Sequence, residues 1–237
     1  MKTALPEQVS VRRSDERGHT KIGWLDSRHS FSFGEYYDPK HMAFRSLRVI
    51  NDDRVAPGMG FGTHPHRDME ILTYVVSGQL QHRDSMGNGR VIQPGELQAM
   101  SAGSGVTHSE FNPSRTEPSH FLQIWVLPRE RGLTPSYAEW KPVNSDEGLT
   151  LLGSPDGTDG SVVIHQDARL YRGELSAGQA IIHHTESTRG LWVQLIRGQV
   201  EVANQTLLPG DSVSVEQASE LTVTATEPST FLLFDLA

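Results

Sequence analysis

Residues 60–80 of the chain read GFGTHPHRDMEILTYVVSGQL. The apolar run ILTYVV is typical of a buried β-strand, and the Ser-Gly that follows it is typical of a turn. His64 and His66 lie just before this run, with a single residue between them. Because alternate residues of a strand point to the same face, their imidazoles are expected to project side by side. The pattern favours a β-barrel whose interior carries a pair of metal-ligating histidines.

A second pair with the same spacing, His108 and Glu110, lies in SAGSGVTHSEFN, residues 101–112. The segment between the two pairs is long enough for about two strands, so both pairs can face the interior of one small barrel. Three imidazoles and one carboxylate suit a borderline divalent ion such as Fe(II), Mn, Co, Ni, Cu or Zn. Such a donor set leaves positions open for a substrate oxygen and for O₂ or water. A structural zinc site, by contrast, is closed and usually contains cysteine, which this chain lacks.

Short apolar runs bounded by Gly, Pro, Asn and Asp recur along the whole chain, and patterns with helical period are scarce. Many short strands with frequent turn signals predict an all-β fold of barrels or sandwiches. One exception is residues 134–140, where a helical turn is expected with Pro135 in its first turn.

Three segments of the first half recur in the second half, in the same order. SGQLQH matches RGQVEV, IQPGELQAM matches LLPGDSVSV, and TEPSHFLQIWVL from Thr116 matches TEPSTFLLFDL from Thr226. The repeat predicts two copies of one β-fold, joined by a polar stretch at residues 141–148. We therefore predict two tandem β-barrel (jelly-roll) domains, an N-terminal metal-binding one at residues 1–140 and a C-terminal one at residues 141–237.

The second copy is expected to bind no metal. His184 and Glu186 align with His64 and His66, but residues 211–226 contain no histidine to supply a second pair. Two candidate ligands on one strand are too few for a comparable site.

Composition excludes several classes of function. The formal net charge of -8 and the pI near 5.7 argue against contact with nucleic acid or anionic membranes. Without cysteine there can be no disulfide, thiolate site or cysteine nucleophile. The apolar runs are only strand-sized, the N-terminus has no signal-peptide core, and no Gly-rich phosphate loop implies a nucleotide cofactor. We expect a cytoplasmic protein, most simply a monomer.

The blocks HPHRDMEILTYV, SAGSGVTHSEFNPS and HSFSFGEYYDP resemble the pirin family, and most closely its bacterial members described as quercetin 2,3-dioxygenases. The resemblance covers essentially the whole chain. It implies a bicupin, that is, two tandem cupin domains, with one metal in the N-terminal domain and iron as the commonest ion. The implied ligands are His64, His66, His108 and Glu110. It further implies that the 3-hydroxyl of a flavonol binds as the anion, that O₂ opens the heterocyclic ring with release of carbon monoxide, and that Glu110 is also the catalytic proton acceptor.

Two other functions remain open on the sequence. The family resemblance also allows a metal-bound regulatory or redox-sensing protein without enzymatic turnover. Another cupin reaction, such as isomerisation of a small polar metabolite, is the third possibility. The cavity lining is expected to discriminate, since a flat apolar cavity favours a polyphenol, whereas Arg and Lys would favour a sugar or an acid.

Several further residues receive more modest predictions. Glu70 is expected to accept a hydrogen bond from a metal-bound imidazole, with direct ligation or the start of an outward-facing strand as the alternatives. His82 is expected on a solvent-facing strand position, with the cavity mouth as the alternative. Ordinary packing or surface roles are expected for His29, His120, His165, His183, His184, Trp125, Tyr137, Trp140 and Trp192.

Overall fold

A computed structural model describes residues 8–142 and 147–237 of the chain. Within these residues the regular structure is β, apart from two short 3₁₀ turns at Ser14–Glu16 and Thr158–Gly160. The prediction of an all-β fold is confirmed. None of the helices in the described part of the chain has the length and apolar character needed to cross a bilayer.

The strands are numbered in chain order. The first eleven are β1 (Gln8–Arg12), β2 (Gly18–Ile22), β3 (Leu25–His29), β4 (Leu47–Val55), β5 (Gly60–His66), β6 (Glu70–Ser77), β7 (Leu80–Asp84), β8 (Gly89–Ile92), β9 (Leu97–Ser101), β10 (Val106–Phe111) and β11 (Ser119–Val126). The others are β12 (Ser136–Trp140), β13 (Gly148–Ser154), β14 (Val162–Val163), β15 (Ala168–Leu175), β16 (Ala180–His184), β17 (Gly190–Arg197), β18 (Val200–Val202), β19 (Gln205–Leu207), β20 (Ser212–Glu216), β21 (Glu220–Ala225) and β22 (Ser229–Leu236).

The chain divides into two compact units. Of the described residues, one unit holds 17–142 and 154–167, and the other holds 8–16, 147–153 and 168–237. The sequence-based boundary after residue 140 lies near the main division, but part of the expected linker, residues 143–146, lies outside the described residues. Each unit also contains a segment from the other side of that boundary, which no local sequence pattern indicates.

The unit that holds residues 17–142 consists of two antiparallel sheets. The larger has the strand order β12-β9-β6-β11-β4-β3-β2, and the smaller has the order β5-β10-β7-β8. Their buried faces form apolar clusters, one around Phe121 and Leu80 and another around Ile71 and Met100. The smaller sheet carries both predicted ligand pairs, on its neighbouring strands β5 and β10.

The second unit repeats this topology. Strands β20-β17-β22-β15 follow the order of β9-β6-β11-β4, and β16-β21-β18-β19 follow the order of β5-β10-β7-β8. The matched turns share a close backbone approach: a Cβ on Gly78 (φ 71) would lie 2.4 Å from the Pro118 oxygen, and one on Gly198 (φ 80) would lie 2.3 Å from the Pro228 oxygen. Only glycine fits such a position, so the repeated Gly-Gln and Glu-Pro-Ser motifs mark the same crossing in both units.

The prediction of a helical turn at residues 134–140 is wrong. Ser136–Trp140 is instead strand β12, which pairs antiparallel with Leu97–Ser101 over its whole length. A free edge of β9 supplies the backbone partners, and this tertiary pairing overrides the local preference set by Pro135.

Candidate metal centre

Strands β5 and β10 bring the predicted histidines together. They pair antiparallel with His108 opposite His64 and Val106 opposite His66. The Nε2 atoms of His64 and His108 lie 3.0 Å apart, and the ligand atoms of the three histidines all lie within 4.8 Å of one another. His108 is buried, whereas His64 and His66 are half-buried.

Glu110 groups with His108 and His82, not with His64 and His66. A β-bulge between His108 and Glu110 shifts the pairing with β5, so that Glu110 lies opposite Phe61. The pairing of β10 with β7 is unshifted and places Glu110 opposite His82. One oxygen of Glu110 and one nitrogen each of His82 and His108 also lie within 4.8 Å of one another. His108 is therefore shared between two groups of candidate ligand atoms.

The electrostatics of the cluster suit a cation. Burial, followed by the neighbouring His64, lowers the pKa of His66 to about 4 and that of His108 to about 3. Both imidazoles are therefore neutral near pH 7, which is the form that ligates a metal. Burial raises the pKa of Glu110 to about 7, against the lowering effect of a hydrogen bond from Thr73 Oγ1 to Oε1, 3.2 Å long. Neutral imidazoles that converge beside a buried carboxyl group form a donor set that fits a divalent metal ion.

The prediction that His82 faces solvent is wrong. Its side chain is fully buried, because Leu80, His82 and Asp84 alternate with outward residues on β7. His82 Nε2 lies 3.2 Å from Asp84 Oδ2, and its ring stacks on Tyr137 at a centroid distance of 5.2 Å. The same alternation is visible in LQHRD, so the sequence carried this signal.

Glu70 does not take the role expected of it. The hydrogen bonds that the structure gives its side chain come from Ser101 Oγ (2.6 Å) and from the backbone N of His165 (3.1 Å), and His165 Nδ1 also lies 3.1 Å away. Asp68, with φ 51, turns the chain between β5 and β6. Glu70 therefore starts a strand of the other sheet and does not continue the face of His66. Its carboxylate holds residues 154–167 to their own unit.

A cavity of about 380 Å³ opens beside the cluster, within the range of roughly 300–1,000 Å³ typical of small-molecule sites. His64, His66 and Glu110 form part of its wall. Its apolar lining consists of Ile22, Leu25, Phe33, Phe61 and Trp125, and its polar lining includes Thr20, Ser27, His29, Glu35, Asn51, Asp53 and Gln123. None of the described residues that line it is Lys or Arg.

Two residues expected to pack in a core line this cavity instead. The ring of Trp125 contacts the ring of His66 edge-on at 5.0 Å and that of Phe33 at 5.3 Å. His29 faces the cavity from β3, where its Nδ1 lies 2.8 Å from Asn51 Oδ1. The polar wall of His29, Asn51, Asp53 and Gln123 was missed on the sequence, because its members look like scattered polar residues of separate strands.

The other histidines have carboxylate partners outside the cavity. His120 Nε2 lies 2.7 Å from Asp52 Oδ1. His183, expected at the surface, is buried with Nε2 2.8 Å from Asp235 Oδ2, whereas His184 is exposed, as expected. Within residues 8–142 and 147–237, both groupings of potential metal ligands lie between positions 64 and 110. That the second unit binds no metal stays a prediction.

Comparison with known proteins agrees with this architecture. A family model described as Pirin matches residues 10–126, and one described as Quercetinase C-terminal cupin domain matches residues 151–236. A protein of Escherichia coli (strain K12) named quercetin 2,3-dioxygenase is 46% identical over 228 residues, covering 96% of this chain and 98% of that protein.

Solved structures give the same result. The crystal structure of YhhW from Escherichia coli is 46% identical, covers 97% of this chain and 98% of its own, and superposes with a TM-score of 0.95. A second structure, of the bacterial pirin YhhW in complex with nickel(II), is 45% identical, covers 97% of this chain and 99% of its own, and has a TM-score of 0.93. The chain therefore belongs to the pirin family and is built of two cupin domains.

Proposed function

We propose that this chain is a metal-dependent dioxygenase that opens the heterocyclic ring of flavonols such as quercetin, with consumption of O₂ and release of carbon monoxide. His64, His66, His108 and Glu110 are the proposed ligands of one divalent ion, with Fe(II) as the proposed physiological metal. The name of the Escherichia coli relative supports the reaction, and the nickel complex of YhhW supports a divalent metal.

One observation carries the proposal: three of the candidate ligands, His64, His66 and Glu110, line a cavity that also has five aromatic and aliphatic lining residues and no Lys or Arg among its described lining residues. A flat polyphenol can be held between aromatic side chains, whereas a sugar acid or phosphate would find no Lys or Arg partner among the described lining residues. The lining therefore favours a flavonol over the small polar metabolite of an isomerase. Nothing in the structure specifically favours a regulatory role.

A bound divalent ion supplies Lewis acidity, which lowers the pKa of a coordinated hydroxyl. Glu110 takes the proton of the flavonol 3-hydroxyl. Thr73 Oγ1 hydrogen-bonds to Oε1 of Glu110 and so orients the carboxyl group. Trp125 and Phe33, in edge-to-face contact, form a wall for the flat rings and exclude water from them. The products are a ring-opened ester and carbon monoxide, one of each per flavonol and O₂ consumed.

The test is reconstitution of the metal-free protein with Fe(II) under anaerobic conditions, followed by quercetin and then O₂. We expect the flavonol absorbance to fall and carbon monoxide to appear in equal molar amount. His108→Ala should abolish both signals, because it removes the ligand shared by both groups of donor atoms.

His184→Ala is the matched control, since His184 aligns with His64 in the second domain but is exposed to solvent. This variant should retain full activity. Loss of flavonol without carbon monoxide, or equal rates in the two variants, would contradict the proposed reaction. Stoichiometric metal binding without any flavonol turnover would instead favour the regulatory alternative.

A further inference from the structure

Asp53 is a buried carboxylic acid in the wall of the cavity. It lies on β4, opposite Ser27 on β3 and opposite Phe121 on β11. Its exposed fraction is 3%, and it lines the same cavity as His64, His66 and Glu110. No step of the proposed reaction described above uses it.

One of the two oxygens of this carboxyl group has no hydrogen-bond partner among the described residues. Ser27 hydrogen-bonds to the side chain, but Oδ1 of Asp53 has no partner among the described residues. A buried polar atom without a partner is costly and rare in native proteins. An acceptor of this kind at the wall of a cavity is available to a ligand that brings a donor.

The neighbouring residue shows what a structural aspartate in this strand looks like. Asp52 points to the other face of β4 and is paired with Arg17 (3.1 Å), Arg54 (3.0 Å) and His120 (2.7 Å). Asp53 has no such basic partner within hydrogen-bonding distance among the described residues. The chain therefore neutralises one of two adjacent buried carboxylates and leaves the cavity-facing one unpaired.

Several other polar groups of this wall have hydrogen-bond partners. His29 bonds to Asn51 at 2.8 Å and to Thr20 at 2.9 Å. Gln123 Oε1 lies 3.0 Å from Thr73 Oγ1, whose one proton is divided between Gln123 and Glu110. The unpaired Oδ1 of Asp53 is thus a defined acceptor position in the wall. A carboxyl group there, with Glu110 in the same cavity, disfavours anionic ligands and suits a neutral ligand with O–H donors.

We propose that Asp53 is a specificity-determining residue that accepts a hydrogen bond from a phenolic hydroxyl of the substrate, other than the hydroxyl held at the metal. This inference rests on the proposed function and narrows it: the preferred flavonols carry hydroxyl groups on their outer rings. A flavonol without those groups leaves Oδ1 unsatisfied in the complex and therefore binds more weakly.

The test is equilibrium binding, not turnover, to the zinc-loaded protein without O₂. Quercetin is compared with 3-hydroxyflavone, which keeps the 3-hydroxyl but has no outer-ring hydroxyl groups. Wild type should bind quercetin the more tightly. At about pH 8, where this carboxyl group is ionised, Asp53→Ala should reduce this preference roughly tenfold to hundredfold by weakening quercetin binding alone, the range expected for a hydrogen bond to a charged group. Asp53→Asn keeps a neutral acceptor and should fall between the two.

Asp26→Asn is the matched control. Asp26 lies on β3, next to the Ser27 that pairs with Asp53, but its carboxylate faces His19 and Lys21 away from the cavity. This variant should bind both flavonols as wild type does. An unchanged preference in a folded Asp53→Ala variant, or equal weakening of both ligands, would overturn the role of Asp53. Failure of the wild type to bind either flavonol would instead overturn the proposed substrate class.

Discussion

Replacing Asp53 by Asn is expected to stabilise the protein, and more so as the pH rises. Burial raises the pKa of Asp53 to about 7 from the usual 3.8. Below about pH 4 the group is protonated in both the folded and the unfolded states and contributes no pH dependence. Between about pH 4 and 7 the unfolded state loses this proton while the folded state retains it, so stability falls with rising pH.

The size of the effect follows from the shift. A rise of the pKa by about three units, at about 1.4 kcal/mol per unit, corresponds to about 4 kcal/mol of lost stability above pH 7. Relaxation of the protein around the charge and entry of water reduce this value. We therefore expect the free energy of unfolding of Asp53→Asn, relative to wild type, to be higher at about pH 8 than at about pH 4 by on the order of 2–4 kcal/mol. This is a large fraction of the 5–15 kcal/mol typical of a domain.

Urea unfolding of wild type and Asp53→Asn over this pH range, with metal removed by a chelator, measures the difference in their free energies of unfolding. Subtracting the two proteins at each pH cancels most of the other titrating groups. Asp26→Asn again serves as control, and because Asp26 is partly exposed and paired with His19 and Lys21, its difference should stay small. A pH-independent difference between Asp53→Asn and wild type, or a loss of stability that grows toward pH 8, would refute the reasoning.

Three further outcomes are expected. Divalent metal at about a hundred times its Kd should add about 2.7 kcal/mol to the free energy of unfolding of wild type and raise its Tm by roughly 5–10 °C. The Tm of His66→Ala should not rise, and equal shifts of the two proteins in scanning fluorimetry would contradict the ligand assignment. Glu70→Gln should lower stability by about 1–3 kcal/mol and speed hydrogen exchange at the amide of His165, which loses its carboxylate acceptor, whereas unchanged exchange would exclude that anchor. Gly173→Ala should cost at least about 1–3 kcal/mol in urea unfolding, since its Cβ would lie 2.1 Å from a buried phenyl ring.

The features that were predictable from the sequence are those with a local period. β5 and β10 are neighbours and His64 faces His108, as the spacing of the two pairs suggests, but a bulge after His108 shifts Glu110 to a position opposite Phe61. The repeat likewise predicted two copies of one β-fold, because its glycine and proline motifs mark a backbone crossing that recurs in both units.

The features that were missed depend on register between distant strands. Asn51, Asp52, Asp53 and Arg54 are four consecutive polar residues, so no alternation in polarity shows which of them face inward. Only pairing with β3 and β11 places Asn51 and Asp53 toward the cavity. Similarly, the error at Glu70 arises from the left-handed conformation of Asp68, which an aspartate allows but which its presence in the sequence does not predict.

The exchange of segments across the midpoint has a practical consequence for anyone who wishes to separate the two cupins. A fragment ending at residue 140 would remove β1 from β20 and would leave Glu70 without His165. The complementary fragment, residues 141–237, would leave one edge of β20 without its partner strand, and an unpaired strand edge is a template for pairing between molecules. Each barrel made alone is therefore expected to aggregate, and a divided version should carry residues 154–167 with the first barrel and residues 8–16 with the second.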